Sequence, residues 1–273
     1  MNVLSCPVRG CGDTLAREAG AWVCPHRHSF DIARSGYVNL LQPQDRRSPN
    51  AGDSREAVEA RTRLLAAGIG RASLDVVAER ALQLALPHEP VVADLGCGGG
   101  ELLGALLARR SIQGVGLDLS TPAIDAAAKR FPRLTWVVAN ADRRLPVLDQ
   151  RVALVLSVNG RRHPDEVARV LCPDGYLLVV LPAADDLIEL RAAVQGDGIE
   201  RPRADGVIDA HAGRFTLVER TVVRRTHTVT AEQAGDLLLG TYRGRRTSQS
   251  ARASSLGQIE VTVSADLLLL QKR

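Results

Sequence analysis

The chain has 273 residues, of which 45% are hydrophobic and only 3% aromatic, with a formal net charge of +4 and a pI near 9.0. That length accommodates one full α/β domain plus a small accessory module, and the apolar residues are spread widely enough to build a core. The mild basic bias is compatible with nucleic acid. An odd count of five cysteines, three of them in the first twenty-four residues, argues against a secreted disulfide framework and for metal thiolates in a reducing cytoplasm.

The opening Met-Asn-Val-Leu-Ser-Cys-Pro lacks a charged segment followed by an apolar one, so no signal peptide is expected. No apolar run approaches the length of a membrane span, so no membrane partner is expected either. Residues 1–35, dense in Cys, Gly, Pro and His, read as a zinc-binding module of short strands and knuckles, too small to fold without its metal. Residues 36–75 read as a linker and a helix joining that module to residues 76–273, the catalytic domain. Asp53-Ser-Arg-Glu56 resembles a capping box opening a helix that Gly68 stops, and a second helix is predicted over 73–86, ended by Pro87.

From residue 90 strands and helices alternate. Strands are predicted at 91–95, 114–119, 134–139, 152–158 and 176–181, with helices at 101–110, 121–130 and 164–171 between them. Another helix follows Asp185; then come a strand near 221–228, a helix near 231–239 and a late strand at 259–269. This order predicts an α/β fold with a parallel sheet and helices on both faces.

Two groups of residues carry chemistry. Cys6, Cys11, Cys24 and His28 form a Cys-x4-Cys and Cys-x3-His arrangement, the donor set of a closed, tetrahedral, structural Zn2+ site. His26 is an alternative ligand with poorer spacing. The second group is Asp94-Leu-Gly96-Cys-Gly98-Gly-Gly100, a glycine-rich turn between a buried strand and a helix. It lacks the Gly-x-Gly-x-x-Gly spacing of dinucleotide enzymes. Asp118 closes the next strand, where a carboxylate would accept ribose hydroxyls, and Asn140-Ala-Asp142 follows the third, where a side chain would meet an adenine amino group. Together these resemble the S-adenosylmethionine pocket of Rossmann-like class I methyltransferases, with Asp94, Gly96, Gly98, Gly100, Asp118 and Asp142 as cofactor-binding candidates. Arg46, Arg47, Arg243, Arg245 and Arg246 are candidate phosphate contacts, and Tyr242 or Tyr37 would stack on a base.

The whole chain resembles the 23S rRNA (guanine-N1)-methyltransferases. The resemblance is most specific over Cys24-Pro-His-Arg-His28-Ser-Phe30-Asp31, Gly36-Tyr37-Val38-Asn39-Leu40-Leu41, Gly52-Asp53-Ser and Ala60-Arg61. It implies a zinc module in front of a methyltransferase domain and methyl transfer to N1 of a guanine in a large-subunit rRNA hairpin. It also implies a homodimer and, for some members, macrolide resistance. Arg162 aligns with a family arginine and would stabilise charge on guanine O6. His163 or Asp165 would take the N1 proton, though both also read simply as caps of the helix at Pro164. The chain departs from the family pattern in its wide first knuckle and at Gly68-Ile69-Gly70, 157–162 and 240–246. The alternatives are a methyltransferase acting on a small molecule or another RNA, or a zinc-containing RNA-binding protein with a decayed active site.

Overall fold

The computed structural model describes residues 3–45, 52–196, 202–240 and 256–273. Near the start, β1 (Ala16–Glu18), β2 (Ala21–Val23) and β3 (Ser29–Asp31) form a small antiparallel sheet. Each strand has three residues, too few to hold without further ties. One tie is metal chemistry; another is the rest of the protein. Leu4 bridges to Val147, Ser5 N–H donates to the Pro146 carbonyl, and Leu148 N–H donates to the Val3 carbonyl. Leu4 and Leu15 are fully buried in the same apolar cluster as Val91, Leu95 and Val155 of the large sheet. After the short strand β4 (Val38–Asn39) come helices α1 (Arg55–Ala66) and α2 (Arg71–Leu82).

The alternating region then gives β5 (Val91–Leu95), α3 (Glu101–Leu107), β6 (Gln113–Asp118), α4 (Thr121–Arg130), β7 (Thr135–Val138), β8 (Val152–Val158), α5 (Pro164–Val170) and β9 (Leu171–Pro182). It ends with α6 (Ile188–Gln195), α7 (Ala204–His211), β10 (Phe215–Val229), α8 (Ala231–Leu239) and β11 (Ile259–Lys272). Among the described residues the sheet has eight strands in the order β10-β11-β9-β8-β5-β6-β7-β4. The chain runs outward from β5 through β6 to β7, then returns to β8 on the other side of β5. That reversal leaves a crevice beyond the carboxyl ends of β5 and β8, where ligands bind in open α/β sheets.

The expectation of a parallel sheet holds from β4 to β9; β11 pairs antiparallel with both β9 and β10. One face of the sheet is covered by α2, α3 and α4, through Val77, Leu103, Ile124 and their neighbours. The other face carries Val167 of α5, Ala204 of α7, Phe215 and the metal module's Leu4 and Leu15. No helix joins β7 to β8 among the described residues, and the module lies against that connection at Val147. The module thus stands in for a helical layer.

Three local readings are corrected. Ser54, not Asp53, caps α1: its Oγ accepts from Ala57 N–H at 3.3 Å, while the Asp53 carboxylate turns to Arg61. The second helix stops at Leu82 and not at Leu86, because Leu84 leaves the helix to fill the core. Helix α7 was not foreseen; it is two turns long and has no side-chain cap to announce it. No helix of the described residues is long and apolar enough to cross a membrane.

Because Leu15 is shared between module and sheet, the two should unfold together. The chain's two tryptophans, Trp22 in the module and Trp136 in β7, report on each part. Single-tryptophan variants should give coincident urea midpoints, and Leu15→Ala should move both to lower urea together, with a loss of about 2–5 kcal/mol of stability.

Candidate active site and metal centre

The metal centre is built on two turns. Cys11 N–H donates to the Val8 carbonyl at 2.9 Å and Arg27 N–H to the Cys24 carbonyl at 2.8 Å, which curl the chain behind each ligand pair. The ligand atoms of Cys6, Cys11, Cys24 and His28 all lie within 4.8 Å of one another. Cys11 and Cys24 sulfurs are 3.9 Å apart, and His28 Nδ1 is 3.4 Å from the sulfurs of both Cys6 and Cys24. A tetrahedron with Zn–S near 2.3 Å has S···S edges of about 3.8 Å, so the donor set fits zinc. Burial, then the neighbouring Cys11 and Cys24 thiols, pushes the Cys6 thiol up to about 12, a cost that a divalent cation removes. His26 lies outside this set and bonds to Asp13 at 3.0 Å. The wide Cys-x4-Cys spacing therefore still closes a four-ligand site.

The second site lies at the carboxyl ends of β5 and β6. Gly98 and Gly100 have φ of +53° and +78°, and a side chain on Gly100 would collide with the Trp136 ring. The turn therefore needs glycine for both its backbone and its close approach. Asp118 Oδ2 accepts from Gly98 N–H at 3.0 Å and Oδ1 from Ser120 N–H at 2.8 Å, which locks the turn to the end of β6. Burial pushes Asp118 upward against these two bonds. Asp94 is 2% exposed, and its Oδ1 is buried without a hydrogen-bond partner. Burial, then the Asp118 and Glu101 carboxylates, pushes it up to about 8. A buried carboxylate oxygen with no donor calls for one from a ligand, and a cationic ligand suits it best. The glycine cradle and this acidic wall fit S-adenosylmethionine, which bears a sulfonium and an ammonium.

Asn140 is committed within the protein: Nδ2 donates to the Asp45 carbonyl and Oδ1 accepts from Asp142 N–H, both at 2.9 Å. Asp142 lies at the edge, 3.8 Å from Arg161 Nε. The loop after β8 covers the cradle, since Gly160 Cα would be 3.2 Å from a side chain on Gly96. In this loop Arg162 Nη1 donates to the Gly160 carbonyl at 2.6 Å, and its Nε–H is buried without a partner. Burial and the nearby Arg161 lower Arg162 to about 10. His163 is exposed at the start of α5, where its side chain makes no capping bond. Asp165 meets Arg214 at 3.0 Å on the surface. Ile69, at one of the departures from the family pattern, is buried with Leu64, Leu187 and Leu190. Tyr37 packs on the sheet face covered by α2, α3 and α4. Arg46, Arg47, Tyr242, Arg243, Arg245 and Arg246 lie outside the described residues.

Sequence reasoning did not single out Arg61, Glu101, Ser157 or His211 for the site. Buried Ser157 Oγ and His211 Nε2 also lack partners. His211 Nδ1 meets the Val207 carbonyl at 2.7 Å, and burial lowers its basicity. No motif spacing marks these residues. The runs Gly52-Asp53-Ser and Ala60-Arg61 hinted that the segment holding Arg61 matters, without giving it a role.

Sheet order, glycine cradle and acidic strand ends define a class I S-adenosylmethionine-dependent methyltransferase carrying a structural zinc site. Comparisons with known proteins agree. Residues 4–49 match the zinc-ribbon family described as "RlmA, N-terminal", and residues 92–175 match "Methyltransferase domain". A Micromonospora griseorubida relative bearing the name 23S rRNA (guanine-N(1)-)-methyltransferase is 37% identical over 99% of this chain and 97% of its own. The 23S rRNA (guanine(748)-N(1))-methyltransferase of Streptomyces fradiae is 38% identical over 70% of this chain and 67% of its own. The chain belongs to the 23S rRNA (guanine-N1)-methyltransferase family. The solved structure of the Bacillus subtilis YcgJ protein shares the fold, with a TM-score of 0.52 at 16% identity over 74% of this chain and 98% of that one.

The geometry separates the two candidate histidines. His28→Ala should lose the bound zinc, read as metal content per chain by mass spectrometry, whereas His26→Ala should keep it.

Proposed function

We propose that this chain methylates N1 of a guanine in a hairpin of large-subunit rRNA. The observation that carries this reading is the cradle at β5 and β6 set beside a zinc module that shares its core, in a chain whose relatives bear that activity in their names. The module and the loop after β7 enclose a cleft of about 410 Å³ lined in part by Arg9, Arg143 and Arg144, which suits a phosphate backbone. Residues 1–35, 36–75 and 76–273 would act as metal module, joining segment and catalytic domain. Such a substrate places the protein in the cytoplasm, and a homodimer is part of the same reading.

S-adenosylmethionine supplies an electrophilic methyl group. Asp94, Gly96, Gly98, Gly100 and Asp118 would hold it, with Asp142 at the adenine end. Guanine N1 carries a proton and O6 gains charge as that proton leaves. Arg162, with a buried N–H still to be used, would stabilise O6, and exposed His163 would accept the proton. Asp165, engaged by Arg214, serves this less directly. The loop over Gly96 would keep water from the reacting atoms. A paired guanine must first leave its stack to arrive there.

The test is transfer of tritiated methyl from S-adenosylmethionine to large-subunit rRNA that lacks the modification, with the nucleoside identified by mass spectrometry. 1-Methylguanosine is expected. Arg162→Ala should lower kcat about 10²–10³-fold with cofactor affinity unchanged. A different methylated nucleoside, or cofactor binding without transfer to any rRNA, would overturn the reading.

A further inference from the structure

Helix α1 does more than connect the metal module to the sheet. A Cβ built on Gly98 would lie 2.8 Å from Arg61 Nη1, so this guanidinium fills the space where a side chain on the glycine turn would be. Arg61 Nη2 donates to Asp53 Oδ2 at 2.7 Å, and 34% of the arginine side chain stays accessible. Asp53 is itself fixed. Its carbonyl accepts from Ser120 Oγ at 2.6 Å, at the N-cap of α4. Gly52 approaches so closely that a Cβ there would be 2.6 Å from the Ser120 nitrogen. Residues 52–61 therefore strap the ends of β5 and β6.

Charge gives the strap a task. Asp53, Asp94, Glu101 and Asp118 converge on the turn; burial works against the charge of Arg61, but Asp53 first, then Glu101 and Asp118, hold it more firmly protonated than usual. Glu101 also meets Arg130, on the outer side, at 3.2 Å. Between Asp94 and Glu101 the chain contains no basic residue. An acidic wall suits the sulfonium and ammonium of S-adenosylmethionine but repels its carboxylate. We infer that Arg61 receives the carboxylate of the cofactor, and that Asp53 is a positioning residue that holds one edge of the guanidinium so that Nη1 faces the turn. The inference rests on the cofactor and not on the identity of the methylated base.

Two ligands separate this role from a structural one: S-adenosylhomocysteine, and the same thioether without its carboxylate, S-adenosyl-3-thiopropylamine. Calorimetric titration of the full chain should show wild type preferring the first. Arg61→Gln should weaken S-adenosylhomocysteine by about tenfold or more and leave the decarboxylated ligand within about twofold. Unchanged binding of the latter shows that the pocket is intact. Arg61→Lys, which keeps the charge without the two-pronged geometry, should give a smaller loss confined to S-adenosylhomocysteine, and carries the test if Arg61→Gln does not fold. No preference in wild type, equal loss of both ligands, or no loss of either would overturn the inference. Each of these readouts is independent of RNA methylation.

Discussion

The carboxylates of Asp53, Asp94, Glu101 and Asp118 are gathered at the ends of β5 and β6, and holding them there is the constraint on which the rest depends. Like charges in a buried place are costly unless they are neutralised or paired. The protein meets this cost in several ways. Backbone N–H groups of Gly98 and Ser120 bind Asp118, and Arg61 binds Asp53. Asp94 is left with a partnerless oxygen and is held toward its protonated form. A pocket in this state favours a cation, and the glycine turn lets that cation come close to the backbone.

The metal module is held to the same sheet by apolar contact. Its strands are three residues long, yet Leu4 and Leu15 are fully buried against the strands that carry the cradle. The zinc ligands fix the module's own shape, and the shared core fixes its place beside the loop after β7. On the opposite side of the cradle, α1 is tied to α8 by a two-pronged bond from Arg63 to buried Asp236. One helix thereby links the cofactor turn to the end of α8, just before the arginine-rich stretch at 243–246.

Much of this was legible in the sequence. The runs of Val, Leu and Ala at 91–95 and 152–158 read as buried parallel strands because both their faces are covered. The four zinc ligands were legible despite the wide first knuckle, because ligand type outweighs spacing when the chain is cross-linked by metal. The strap was not legible in the same way. Asp53 reads as a helix cap in sequence, and only the fold shows that Ser54 caps while Asp53 turns to Arg61. That choice depends on Ser120, sixty-seven residues away, which local pattern cannot report. The antiparallel edge of β10 and β11 was likewise hidden, since strand direction depends on how the chain returns and not on the strand's own residues.

The acidic cradle receives a cation, and the protons displaced on binding report it. Calorimetry of S-adenosylmethionine binding at pH 7, repeated in buffers of different ionisation enthalpy, counts the protons exchanged. Asp94 is held toward its protonated form, at about 8, before the cation arrives, and a cation beside it favours ionisation. Wild type should show net proton release on binding, and Asp94→Asn a clearly smaller release. Equal proton counts in the two proteins would contradict this.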